Sequence, residues 1–215
     1  MRGDINMIQK MMRIQYAEST LPESWIFEGG KTEKRIPIVF SVFLICTEDK
    51  KILVDAGCET MPKFDMKNFI TPMMALKENG IDVADITDVI ITHAHHDHIE
   101  CVKYFPDAVV HIQKDECRKG EKYLVDNPHI CTFADESMID EDVKVVKIGG
   151  HSLGSCVVEC KTEDKIRVLC GDECYSLDNI RNRIPTAKSY CPANSKAFIE
   201  KYTQGPYECL LCHDL

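Results

Sequence analysis

No stretch of this 215-residue sequence stays apolar for the roughly 18 residues that a membrane-crossing helix needs. The first thirty residues also lack an apolar core of the signal-peptide kind. A cytoplasmic protein with no membrane partner is the expectation. Positive charge is in short supply too: 26 Lys and Arg stand against 35 Asp and Glu, for a formal net charge of −9. That balance repels phosphate backbones and provides no electrostatic footprint for nucleic acid, so nucleic acid is not an expected partner. Low-complexity tracts and a Pro/Gly-rich linker are absent as well. With 44% apolar and 28% charged residues the composition is that of a globular protein, and one domain spanning 1–215 is expected.

Cysteine is plentiful, at twelve residues. In a reducing compartment these are expected as small buried apolar side chains rather than a disulfide framework. Cys46, Cys156, Cys160, Cys170 and Cys209 all fall in strand-like runs. Cys209-Leu210-Leu211-Cys212-His213 matches the attachment pattern of c-type haem. That chemistry requires export and an exposed loop, whereas this segment reads as a strand ending in histidine.

The most informative segment is Thr92–His98, Thr-His-Ala-His-His-Asp-His, directly after the apolar run Val89-Ile90-Ile91. The run reads as a buried strand, which places the histidines on the following loop and first helical turn. His93 and His95, two apart, can converge on one point, while Asp97 and His98 can aim at a second a few ångströms away. Imidazole nitrogen and carboxylate oxygen are the ligands that borderline-soft divalent ions prefer, so four of them in six positions mark a metal site.

His93-Ala94-His95-His96-Asp97-His98 resembles the His-x-His-x-Asp-His signature of the metallo-β-lactamase superfamily of metal-dependent hydrolases. Further parts of that pattern follow in order: Asp55 closing Ile52-Leu53-Val54-Asp55-Ala56-Gly57, His151 in Gly149-Gly150-His151, Asp172 in Gly171-Asp172, and His213 after an apolar strand. The resemblance implies an α/β fold, a four-layer αββα sandwich, with two divalent metal ions, zinc first and manganese, iron or cobalt as alternatives. It assigns His93, His95 and His151 to one ion, Asp97, His98 and His213 to the other, and Asp172 as the bridge. Asp55 would orient metal ligands from behind.

Within the superfamily, the redox di-iron branch usually carries glutamate where this chain has His95, and several lactam-cleaving branches lack the bridging carboxylate. Glyoxalase-II thioesterases carry a further helical domain, whereas this sequence runs two residues past His213. The strongest likeness is to the N-acyl homoserine lactone lactonases, in Ile36 to Gly57, Gly149 to Gly154 and Gly171 to Tyr175. In that branch a tyrosine three residues after the bridging aspartate touches the substrate, and Tyr175 holds the position. The resemblance implies lactone opening by a metal-bridging hydroxide, with Tyr175 and Asp97 as catalytic residues, Asp97 relaying a proton to the leaving oxygen. Hydrolysis of another ester or thioester is the alternative, followed by a non-hydrolytic di-metal protein. The partner would be a small ester or lactone.

Periodicity predicts strands over Met12–Ala17 (an edge strand), 37–47, 52–54, 108–112, Val143–Ile148, 156–160, 165–170 and Tyr207–Cys212. Helices are predicted over Met66–Asn79, Asp97–Tyr104, 114–123 and 193–202. Residues 1–11 are expected to be partly ordered, and Trp25-Ile26-Phe27 to be either core or edge-strand residues or part of a substrate wall. Two similar strand-rich halves are expected, about 1–112 and 143–215. His111 is expected to be packed or at the surface rather than a ligand, and His129 to be a loop residue in reach of a lid role.

Overall fold

The computed structural model describes residues 8–61 and 64–215; most of the predicted partly ordered start lies outside the described residues. Among the described residues, eleven strands form two sheets. The first contains β1 (Lys10–Pro22), β2 (Arg35–Cys46), β3 (Lys51–Val54), β4 (Asp88–Ile91), β5 (Val109–Gln113) and β6 (Ile130–Phe133), in that order across the sheet. The second has β7 (Glu136–Asp140), β8 (Val143–Lys147), β9 (Cys156–Lys161), β10 (Ile166–Leu169) and β11 (Tyr207–Leu210), again in chain order. Around them lie α1 (Glu23–Ile26), α2 (Pro72–Glu78), α3 (His96–Ile99), α4 (Lys114–Lys119), α5 (Glu121–Leu124), α6 (Leu177–Asn182) and α7 (Pro192–Tyr202).

Three apolar clusters mark three seams between four layers, which is the expected αββα sandwich. Phe43, Ile45, Ile52, Val54 and Ile90 of the first sheet meet Val145, Val158, Cys160 and Leu169 of the second. The opposite face of the first sheet, through Leu44, Leu53, Val89 and Ile91, packs on Leu76 of α2 and Ile99 of α3. Val157 and Val168 pack outward on Phe198, Ile199 and Tyr202 of α7. The alternation of Leu44 and Ile45, or Leu53 and Val54, between seams is the period of two that a doubly covered strand requires.

All twelve cysteines are free thiols, seven of them buried, as expected. β1 is indeed an edge strand, but longer than predicted, because it pairs along the whole of β2. Trp25 and Ile26 belong to a one-turn helix rather than a strand.

The helix predicted over Met66–Asn79 starts only at Pro72. Pro72 at the helix start and the Thr71 cap, whose Oγ1 accepts from the Met74 N–H at 3.2 Å, define that beginning. The preceding residues pair instead with β1: Lys67 N–H donates to Glu18 O and Ile70 N–H to Tyr16 O. The helix predicted over 114–123 is two short ones, interrupted at Gly120, which abuts Ile99 and Ala94. Segment 113–142, expected to lie between the halves, supplies an edge strand to each sheet.

Candidate metal centre and cleft

Five loops build the site, and each follows a strand of the same direction within its sheet. β3 and β4 are parallel neighbours, as are β10 and β11, while β8 is parallel to β10 through antiparallel β9. Asp55 follows β3, His93 and His95 follow β4, His151 follows β8, Asp172 follows β10 and His213 follows β11. The carboxyl ends of strands from both sheets therefore meet at one edge of the sandwich.

His93 Nε2 and His151 Nε2 each lie 2.9 Å from His95 Nδ1. Asp172 Oδ2 stands 3.6 Å from the first and 3.4 Å from the second. Three imidazole nitrogens facing one another cannot all be satisfied by shared protons. Nitrogens about 2.0–2.1 Å from a tetrahedral ion are separated by about 3.3 Å, close to this spacing. The other Asp172 oxygen, Oδ1, lies 3.1 Å from both His98 Nε2 and His213 Nε2. Those two nitrogens are buried and have no hydrogen-bond partner among the described residues.

Their rings are fixed from behind. His98 Nδ1–H donates to Asp55 Oδ2 at 2.7 Å, and His213 Nδ1–H donates to the Val39 carbonyl at 2.8 Å. Each proton so placed leaves the Nε2 lone pair turned toward Asp172, the arrangement a metal-binding histidine needs. Asp55 is itself held at φ 62° and accepts from Thr92 N–H and Oγ1–H. Asp97 Oδ2 faces the same point, 3.5 Å from His98 Nε2 and 3.7 Å from His213 Nε2.

The donor set fits two divalent ions sharing one carboxylate. One group is His93, His95, His151 and Asp172; the other brings His98, Asp172 and His213 together with Cys212, whose Sγ is 3.9 Å from Asp172 Oδ1. All seven residues expected as ligands thus converge. Cys212 was not among them, because in sequence it reads as part of an apolar strand or of a haem-like Cys-x-x-Cys-His pattern, neither of which points to this centre.

The electrostatics are those of a site built for cations. Burial alone would raise the Asp172 carboxyl, but His98, His213, His93 and His151 outweigh it and hold it well below the usual range. Burial likewise pushes His93 well down, with His98 adding to the effect. His98 moves the other way: Asp172, Asp55 and Asp97 overcome its desolvation.

A cleft of about 380 Å³ opens over this floor. One wall is apolar: Leu21, Trp25, Ile38, Phe40, Met61 and Phe64. Trp25 lines the cleft edge-on to Phe64, with centroids 6.2 Å apart, whereas the half-buried Phe27 packs against the core. Tyr175 reaches the floor, its hydroxyl donating to Asp172 Oδ2 at 2.6 Å and its ring stacked on His213 at 5.4 Å. His111 is buried and donates to Asp88 Oδ1, away from the cleft, and His129 is exposed and does not line it.

Residues 38–201 match the family model of the metallo-β-lactamase superfamily. The chain belongs to that superfamily. His213 lies beyond the matched span, and the fold brings it to the centre as the sequence motifs implied. Among curated proteins the chain is similar to N-acyl homoserine lactonase AiiB of Agrobacterium fabrum, with 26% identity covering 69% of this chain and 67% of the relative. Among solved structures, AiiA of B. thuringiensis, with N-decanoyl-L-homoserine bound at its active site, superposes with a TM-score of 0.80 at 20% identity. That match covers 97% of this chain and 94% of the other. AidC, a dizinc quorum-quenching lactonase with bound N-hexanoyl-L-homoserine, gives 0.77 at 15% identity, over 98% and 89%. The likeness to the lactonase branch read from the sequence motifs is thereby upheld, and the chain is a metal-dependent hydrolase of this superfamily.

Proposed function

We propose that the chain opens lactone rings of the N-acyl homoserine lactone type with two divalent ions, zinc in the first instance. The observation that carries this reading is Tyr175: its hydroxyl lies at the carboxylate shared by the two donor groups, beneath an apolar wall. His93, His95 and His151 would hold one ion, Asp97, His98 and His213 the other, and Asp172 both. Two such ions lower the pKa of a shared water toward neutrality and polarise a carbonyl oxygen.

The chain's own groups do the rest. Asp172 sets the separation of the two donor groups. The wall from Leu21 to Phe64 takes the acyl chain and orients the ring over the floor. Burial and the neighbouring Asp172 push the Tyr175 phenol well above its usual range, so it stays protonated at neutral pH, and the proton it donates to Asp172 here turns to the oxygen on which charge develops. Asp97, at the floor of the cleft, takes the proton that the attacking water loses and returns it to the ring oxygen as the C–O bond breaks.

The test is metal analysis combined with a substrate panel. Two ions per chain, lost to chelator together with turnover of acyl homoserine lactones, are expected. One ion or none in active protein would sink the binuclear reading. Turnover of linear esters or thioesters with none of any lactone would move the substrate to that class.

A further inference from the structure

Two buried glutamates outside the donor set bracket the first group of histidines. Glu116, on α4, is 1% exposed. Its Oε2 accepts the Ala94 N–H at 2.8 Å, between His93 and His95. Its Oε1 accepts the Gly154 N–H at 2.9 Å and the Ser152 hydroxyl at 2.6 Å, next to His151. One carboxylate thus ties the loop after β4, in the first sheet, to the loop after β8, in the second.

Glu173 is fully buried and follows Asp172 directly. Its Oε1 accepts the N–H groups of Gly150 and His151 at 3.1 and 3.0 Å, and the Ser155 hydroxyl at 2.5 Å. Ser155 Oγ in turn accepts the Ser152 N–H at 3.0 Å, tying the residue after His151 to the same carboxylate. Steric room has been made for both carboxylates. A Cβ at Gly154 would strike the Gln113 side-chain oxygen and press on Glu116, and one at Gly150 would strike Glu173 and Ser195.

We propose that Glu116 and Glu173 are positioning residues that hold His93, His95 and His151 in register for a metal ion, Glu116 by joining the two histidine-bearing loops and Glu173 by joining His151 to the Asp172 segment. The proposal rests on the reading of those histidines as ligands. Hydrogen bonds from backbone N–H to a carboxylate are strong, and each glutamate accepts two of them and one serine hydroxyl, fixing loop positions that the loops' own sequences leave open. Glu116→Gln keeps the shape but turns an NH₂ toward at least one of the three donors, releasing one side of the clamp.

The experiment titrates metal-free protein with Zn²⁺ against a chromophoric chelator, and with Co²⁺ followed by its absorption bands. Wild type should take up two ions. Glu116→Gln should lose affinity at one site by about 10–100-fold, the scale of an outer-shell loss, with the other site unchanged. Ser152→Ala removes one hydrogen bond and should fall between, which keeps the test open if Glu116→Gln fails to fold. Asp88→Asn, destabilised elsewhere, should lower Tm without moving either affinity.

Wild-type affinities in Glu116→Gln, or in Ser152→Ala where Glu116→Gln does not fold, would overturn the proposal with the ligand reading intact. The same would follow if Asp88→Asn weakened metal binding equally at matched Tm loss. A wild-type chain that takes up no ions would instead overturn the ligand reading itself, and the proposal with it.

Discussion

His98 Nδ1 lies 2.7 Å from Asp55 Oδ2, a hydrogen bond across 43 residues of chain that fixes which nitrogen of His98 faces the metal centre. The same carboxylate holds Thr92 N–H at 2.8 Å, so a single side chain anchors the start and the end of the histidine loop.

Asp55→Asn should therefore weaken the His98 ion by about 10–100-fold while leaving the fold intact. Asparagine tolerates the left-handed backbone at φ 62°, and its amide oxygen can replace only one of the carboxylate acceptors. Asp55→Ala should show the same metal loss plus a lower Tm from backbone strain. Competitive titration and thermal unfolding of both variants separate the two effects. Full metal affinity in Asp55→Asn would remove Asp55 from the site.

Tyr175→Phe should keep metals and packing and lose one donor. Removing a single oxyanion donor costs about 10²–10³ in rate in a site that relies on it. With two cations sharing the charge, about 10–10² is expected, falling on kcat rather than KM. Activated aryl esters, with better leaving groups, should lose less than acyl homoserine lactones. Equal kinetics for both substrates in both proteins would make Tyr175 a packing residue.

Trp25 tests the apolar wall. Each methylene moved from water onto such a wall contributes about 0.8 kcal/mol, or about fourfold in kcat/KM. Wild type should show that climb as the acyl chain lengthens, until the cleft is filled. Trp25→Ala should flatten the slope, because its ring and its contact with Phe64 form part of the wall. An unchanged slope would place the acyl chain elsewhere.

Asp88 is far from the chemistry and its prediction concerns pH. Burial would raise its carboxyl, but His111 at 2.7 Å, Thr87 and Lys50 outweigh that and hold it below its usual value. A carboxyl with a depressed folded-state pKa stabilises the protein above its unfolded pKa, near 3.9. The contribution is lost as pH falls through the folded value. Asp88→Asn should accordingly cost about 1–3 kcal/mol at pH 7, and the gap to wild type should close in acid below about pH 4. Denaturant unfolding across pH 3–8 measures this, and a gap that persisted into acid would argue for a packing effect.

Much of this was legible locally. His93 to His98 carry their meaning in their spacing, because ligands on one loop converge whatever surrounds them, and the run Val89–Ile91 reads as a buried strand by composition alone. Asp55, His151, Asp172 and His213 could be placed only through the resemblance to the superfamily pattern, whose further parts follow in order along the chain. Local pattern failed where distant partners decide the backbone. Helical spacing over Met66–Asn79 was overridden by pairing of Lys67 and Ile70 with β1. β6 escaped notice because three of its four residues are exposed, which leaves no buried face to read. Glu116, on what reads as a charged surface helix, is unremarkable in sequence, and Cys212 stood out only within the haem-like Cys209–His213 pattern, not as a ligand beside Asp172. Only the approach of two sheets brings their side chains to the histidines, since burial and hydrogen bonding depend on neighbours that chain order does not disclose.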